Sequence, residues 1–270
     1  MKLILRSLVA FYRDDGPLHA GSIAYFFLMS FAPFCLLLIA IFGYFLGDNK
    51  EFYEFFATRL MRFFPEATSE ISVGLAAIVT YRKIGILTLI VYAFFSYLLY
   101  SSLETAVHVI FQERAKRSRL VSVIMSFVMI SLIAGFISVS FAATSAVEIL
   151  KLAILDKMGL QIGIFTAFLI RFLIPILLVF IVVTTLYKFL PIKRTTLRSA
   201  VRGGLFTAIF LEAARHLFTF YVVKTAAQFG SIYGSLSSLV IFLLWIFYAA
   251  CIFLVGAEMV EMLNASQRRT

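Results

Sequence analysis

The segment GLFTAIFLEAARHLFT, Gly204 to Thr219, is apolar enough to lie in a bilayer, yet it carries Glu212, Arg215 and His216. On a helix these three fall at i, i+3 and i+4 and share one side. Gly204, Ala208 and Thr219 extend the same stripe, while Leu205, Phe206, Ile209, Phe210 and Leu217 fall elsewhere. The spacing predicts a membrane-spanning helix with one small, polar face and one large, apolar face. A charge at the bilayer centre costs about 2.5–3.5 kcal/mol on insertion scales, so such residues turn toward protein or water. The remaining helices are expected to supply partners for that face.

Composition extends this reading to the whole chain. Of its 270 residues, 62% are hydrophobic and 14% charged, with a mean hydropathy of +1.01. Soluble domains carry about 25% charged residues. Several apolar runs exceed the roughly 18 residues that argue for a membrane-crossing helix. The first of them is too long for a signal-peptide core and lacks an A-x-A exit, so it is expected to stay in the membrane. The net charge of +10 does not point to nucleic acid, because the Lys and Arg residues cluster in short loops between apolar runs, as the positive-inside rule describes. Cys35 and Cys251 lie inside apolar runs, where a thiol behaves as a small hydrophobe, and define neither a disulfide framework nor a metal site.

Taken in order, residues 1–15 read as an interfacial helix. Ile4, Leu5, Leu8, Phe11 and Tyr12 form its apolar stripe, with Lys2, Arg6 and Arg13 available to headgroups. Gly16-Pro17 is expected to break it. Six spans follow, at about 20–46, 84–111, 120–150, 162–187, 203–223 and 234–263. In the first connecting loop, residues 48–83, Phe52, Phe55, Phe56, Leu60, Phe63 and Phe64 recur at helical spacing, which predicts short amphipathic helices there. Basic loops lie at Glu113 to Arg119 and Lys188 to Arg202. Fourteen Lys and Arg fall on the side of the N-terminus and eight on the other, so both termini are expected in the cytoplasm. No linker or shift of composition divides the chain. The expectation is an all-α integral membrane bundle forming one domain over residues 1–270.

Depth along the helices selects the polar candidates. At about 1.5 Å per residue, Glu212 lies roughly 16 Å and Arg215 roughly 12 Å from the outer end of span 5, and Arg171 roughly 14 Å from that of span 4. An Arg171–Glu212 pair is thus within geometric reach, read either as a register-fixing ion pair or as part of a site. Two arginines against one glutamate leave a positive excess that an anionic group could use. A second set, His19, Tyr25, Glu104, His108 and Glu258, falls near the cytoplasmic boundary, with Glu104 and His108 at i, i+4. So near the interface, these residues are expected to form a solvated rim. Tyr25, Trp245 and the many Phe residues read as lipid-facing or packing residues, and Gly203-Gly204 and Gly256-Ala257 as points of close helix approach. FLMSFAPF (Phe27 to Phe34) and FLIRFLIP (Phe168 to Pro175) share F-L-x-x-F ahead of a proline. Pro33 and Pro175 are accordingly hinge candidates of the kind found in paired, interrupted helices of transporters.

Three stretches carry a family resemblance: AYFFLMSFAPFCLLL (Ala24 to Leu38), PIKRTTLRSAVRGGLFTAIFLEAARHLFTFYV (Pro191 to Val222) and YGSLSSLVIFLLWIFYAACIFLVGAEM (Tyr233 to Met259). With SLETAVHVIF (Ser102 to Phe111) and its basic loop, the chain resembles the YihY/BrkB family of bacterial inner-membrane proteins over nearly its whole length. The resemblance implies six spans in the inner membrane and no agreed molecular activity. Some members carry the label of serum-resistance factor or of the tRNA-processing ribonuclease BN. The nuclease label fits these residues poorly, since metal-dependent phosphodiester cleavage needs clustered carboxylates or histidines. His19, His108 and His216 stand in no H-x-H or H-x-x-x-H arrangement. The leading expectation is a transporter or flippase-like protein for an anionic or zwitterionic solute or lipid, working through Arg171, Glu212, Arg215, His216, Glu104 and His108. The rival is a non-transporting scaffold that supports envelope assembly. An intramembrane enzyme ranks below both, and no metal or cofactor is expected. Membrane lipids are the expected surroundings, with an anionic solute or headgroup as ligand.

Overall fold

The computed structural model describes residues 2–46, 86–113, 121–126, 174–233 and 236–268, with the backbone alone at 2, 32–46, 86–89, 174–175, 223, 226–233 and 238. Every regular element among the described residues is a helix, and none of them is a strand. They form α1 (Lys2–Arg13), α2 (Gly16–Leu46), α3 (Ile86–Ile110), α4 (Ile174–Phe189), α5 (Leu197–Tyr233) and α6 (Ser237–Arg268), with a further helical piece at 121–126. Three described stretches are long and apolar enough to cross a membrane, Ile90–Ile110, Leu197–Val222 and Leu239–Arg268, and Ile176–Phe189 is a shorter apolar helix. These correspond to the expected spans 2, 5, 6 and 4, while the expected span 1 falls within α2. The long loop 48–83, most of the expected span 3, the turn at 151–161 and Arg171 lie outside the described residues.

Two boundaries differ from expectation, each for a local reason. The break after α1 comes before Gly16-Pro17. Asp14 N–H closes on Ala10 O at 2.9 Å, and Asp15 takes a left-handed conformation with φ 52°. Gly16 and Pro17 then open α2, where proline's missing N–H costs nothing. Gly16 is required there because a Cβ would run into the Phe11 ring. The second difference concerns the basic stretch 188–202, expected as a loop. Only 190–196 is non-helical, and α5 begins at Leu197, before Arg198 and Arg202. Thr196 supplies the cap: its Oγ1 accepts the Ser199 N–H at 3.3 Å, and its carbonyl accepts the Ala200 N–H at 3.1 Å. At its other end α5 continues past Val223 to Tyr233.

Backbone packing groups the chain into two compact units. One comprises Met1–Pro17, Leu103–Ala214 and Cys251–Thr270, the other Leu18–Ser102 and Arg215–Ala250. In the first, α4, α5 and α6 approach on small residues. Gly203, Gly204, Thr207 and Ala208 of α5 are buried, while Leu205, Ile209 and Phe210 are exposed; of the face predicted from spacing Gly204 and Ala208 are packed, Glu212 is half-buried, and Arg215, His216 and Thr219 are exposed. A Cβ on Gly204 would collide with the Thr184 hydroxyl and lie 3.2 Å from Thr184 Cβ; one on Gly256 would meet Thr207 and Tyr187. Within a membrane, association depends on such close backbone approach, because lipid tails are as apolar as leucine. The Tyr187 hydroxyl donates to Phe253 O at 2.6 Å and lies 2.8 Å from Thr207 Oγ1, and its ring stacks on Phe253 at 5.0 Å. On α1, Ser7, Ala10 and Phe11 are buried, whereas Leu5, Leu8, Val9 and Tyr12 are exposed. The expected apolar stripe is therefore divided, with Phe11 turned to the core, Ile4 half-buried, and Leu5, Leu8 and Tyr12 outward. In the second unit, Ser22 and Ser102 pair at 2.9 Å, Phe31 meets Phe242 at 5.3 Å, and Phe218 meets Trp245 at 5.3 Å.

Candidate functional site

The most enclosed ionisable cluster lies at the C-terminal end of α3. Glu104 and His108 share a face at i, i+4, and their closest atoms are 4.0 Å apart. The helix then ends in a Schellman turn: Glu113 N–H bonds to His108 O at 2.9 Å, Gln112 N–H to Val109 O at 3.0 Å, and Gln112 is left-handed with φ 49°. That reversal returns Glu113 over the helix end, where its Oε2 lies 3.1 Å from His108 Nε2. Side-chain exposure is 10% for Glu104, 17% for His108 and 1% for Glu113.

Other elements complete the cluster. Ser122 donates to Glu104 Oε2 at 3.0 Å. The Lys193 backbone N–H donates to Glu113 Oε1 at 2.7 Å, and its ammonium donates to Phe111 O and, at 2.9 Å, to Gln112 O. A cation there satisfies the terminal carbonyls of α3 and opposes the negative end of its dipole. The 190–196 loop that carries Lys193 is held from α6. Asn264 donates to Arg194 O at 3.3 Å and accepts from Thr196 N–H at 3.2 Å, Thr196 Oγ1 donates to Gln267 Oε1 at 2.8 Å, and Arg268 donates to Arg194 O at 3.2 Å. The loop thus links the ends of α3 and α6. Both carboxylates approach the same ring nitrogen, Nε2, so the imidazole can hydrogen-bond to only one of them at a time, and Glu113 is the nearer. Among the described residues no set of His, Cys, Asp and Glu has the geometry to hold a metal ion.

Of the residues expected in a solvated rim, Glu104 and Glu258 are buried. Nearness to a helix end does not imply contact with water when a turn and a second loop fold over that end. His19 is half-buried and Tyr25 is exposed. Of the other predicted site residues, Glu212 is half-buried on α5, while Arg215 and His216 are exposed on the same helix. Each of these three has a side-chain or electrostatic partner. Arg171, and with it the Arg171–Glu212 pair, falls outside the described residues. α2 runs helically through Pro33, and Pro175 is the second residue of α4. Sequence reasoning missed Glu113, Ser122 and Lys193. A glycine at position 112 would have signalled the turn; glutamine conceals it.

The chain matches the family model described as virulence factor BrkB over residues 7–270. A UPF0761 membrane protein of Azotobacter vinelandii is 28% identical over 96% of this chain and 62% of its own length. Others, from Haemophilus influenzae and Vibrio cholerae, are 26% and 29% identical over 91% and 93% of this chain and 88% and 83% of their own lengths. The chain spans about three fifths of the length of the Azotobacter relative. No solved structure matches. The chain belongs to the BrkB family, and it is a membrane protein.

Proposed function

We propose, starting from its place in the BrkB family, that this membrane protein is a transporter or flippase-like carrier of an anionic or zwitterionic solute or lipid. In this reading it is not an enzyme. It crosses the bacterial inner membrane six times with both termini in the cytoplasm, and α1 lies along the interface. The carrying observation is the enclosed Glu104–His108–Glu113 cluster at the end of a membrane-crossing helix. Ionisable groups so placed are costly to keep and commonly mark ion or proton routes. The bond from the Lys193 N–H to Glu113 ties the 190–196 loop to this cluster, so a change at the cluster would reach α6 through Asn264 and supply a means of coupling. Arg215 on α5 would offer positive charge to the cargo, and His216 beside it a hydrogen-bonding ring nitrogen.

The test is reconstitution of the full chain in liposomes carrying headgroup-labelled phosphatidylglycerol, with dithionite reporting the outer leaflet. In parallel, currents on a solid-supported membrane are recorded under jumps of small organic anions. Wild type is expected to expose inner-leaflet label or to carry anion current. His108→Gln and Glu113→Gln should slow that activity severalfold at equal protein density. Wild-type liposomes indistinguishable from protein-free ones in both assays would favour the scaffold reading. Reporter fusions at Lys116 and Thr195 test the topology: both should read cytoplasmic, and a periplasmic signal at either overturns it.

A further inference from the structure

The opening turns of α5 present a second arrangement, independent of the transport reading. Leu197, Arg198, Val201, Arg202, Leu205 and Ile209 are exposed, while Ser199, Ala200, Gly203 and Gly204 on the opposite side are buried. Arg198 and Arg202 stand one turn apart, and Leu205 and Ile209 continue the same side at seven and eleven residues from Arg198. Like charges at i, i+4 cost helix stability. Yet no acid occurs in residues 190–211, and neither arginine has a side-chain partner among the described residues. A pair of guanidinium groups with no counter-charge among the described residues is free to take an anion from outside the chain.

The neighbours of the pair identify that anion. The two arginines sit at the start of Leu197–Val222, a stretch able to cross a membrane, immediately before an outward apolar stripe. The helical rise puts Ile209 about 10 Å deeper than Arg202. A free phosphate would use the arginines and leave Leu205 and Ile209 unused. A phospholipid uses both, since guanidinium groups match phosphate oxygens in pairs and acyl chains cover apolar side chains. Basic clusters next to membrane spans attract anionic lipids in this way. We propose that Arg198 and Arg202 bind the phosphate of an anionic phospholipid whose acyl chains lie along Leu205 and Ile209.

The experiment is native mass spectrometry of the full-length protein in mild detergent, titrated with phosphatidylglycerol and phosphatidylcholine. Wild type is expected to hold phosphatidylglycerol more tightly than phosphatidylcholine. Arg198→Gln with Arg202→Gln should lower phosphatidylglycerol affinity about thirtyfold, and each single variant about fivefold, leaving phosphatidylcholine binding unchanged. The paired lysine variant keeps the charge but not the forked geometry and should fall between wild type and the paired glutamine variant, and Leu205→Ser should weaken binding. If the paired glutamine variant does not fold, the single variants decide the matter. Equal binding of the two lipids by wild type, or unchanged affinity in both single variants, overturns the proposal. So does displacement by soluble glycerol phosphate at the concentrations at which the lipid binds, which would mark a site for a free anion.

Discussion

Glu104 with His108, and Glu212 with Arg215 and His216, obey the same helical arithmetic and meet opposite fates. The first set is closed in at the end of α3, whereas on α5 Glu212 is half-buried and Arg215 and His216 are exposed. The difference lies in the residues that come after each set along the chain. After His108 a left-handed residue reverses the backbone within four residues, and Glu113 and the Lys193 loop fold over the cluster. After His216 the helix continues for more than four turns, so no nearby residue can return over it. Periodicity determines which side of a helix a residue occupies. Enclosure needs a chain reversal or a second element.

Removing one member of each set puts this contrast under the most severe test. Glu113→Ala leaves His108 and the Lys193 N–H without their carboxylate inside the protein, and each buried donor left unsatisfied costs about 1–3 kcal/mol. Arg215→Gln acts on an exposed side chain and should stay within about 0.5 kcal/mol. Thermal melting in detergent compares the two, and equal losses would mean that the enclosed cluster contributes no more than the exposed one.

A smaller effect probes the packed face on which α5 depends. Gly204→Leu must displace Thr184 of α4, an overpacking cost of about 1–3 kcal/mol. The neighbouring Leu205→Ala faces outward and should change stability by less than about 0.5 kcal/mol. Folded yield and melting of both variants check the contrast, and a larger loss at Leu205 would reverse the assignment of faces.

The smallest change concerns the turn that encloses the first set. Gln112 holds φ 49°, a conformation that glycine adopts without a Cβ penalty. Gln112→Gly should therefore raise stability by about 0.5 kcal/mol, after the entropy that glycine loses on folding. A fall in melting temperature would show that the glutamine side chain, and not its backbone, holds the turn.

Much of the fold was readable along the chain because it rests on local sums. Long apolar runs located the three described stretches able to cross a membrane, and the 3.6-residue repeat placed Gly204 and Ala208 on the packed side of α5, since both properties are set within one helix. Boundaries were less readable where a single cap overrides composition. Thr196 starts α5 inside a basic stretch that reads as loop, and Asp15 ends α1 ahead of the Gly-Pro pair.

The amino-acid sequence alone establishes that this is an all-helical membrane protein, which residues share each helical side, and which family it resembles. The identity of the enclosed ionisable groups came only with the tertiary fold. Ser122 stands 18 residues from Glu104, and Lys193 stands 80 from Glu113. No periodic pattern links positions that far apart. Burial of a charge is a property of the partners brought to it, and those partners meet only after the chain has folded.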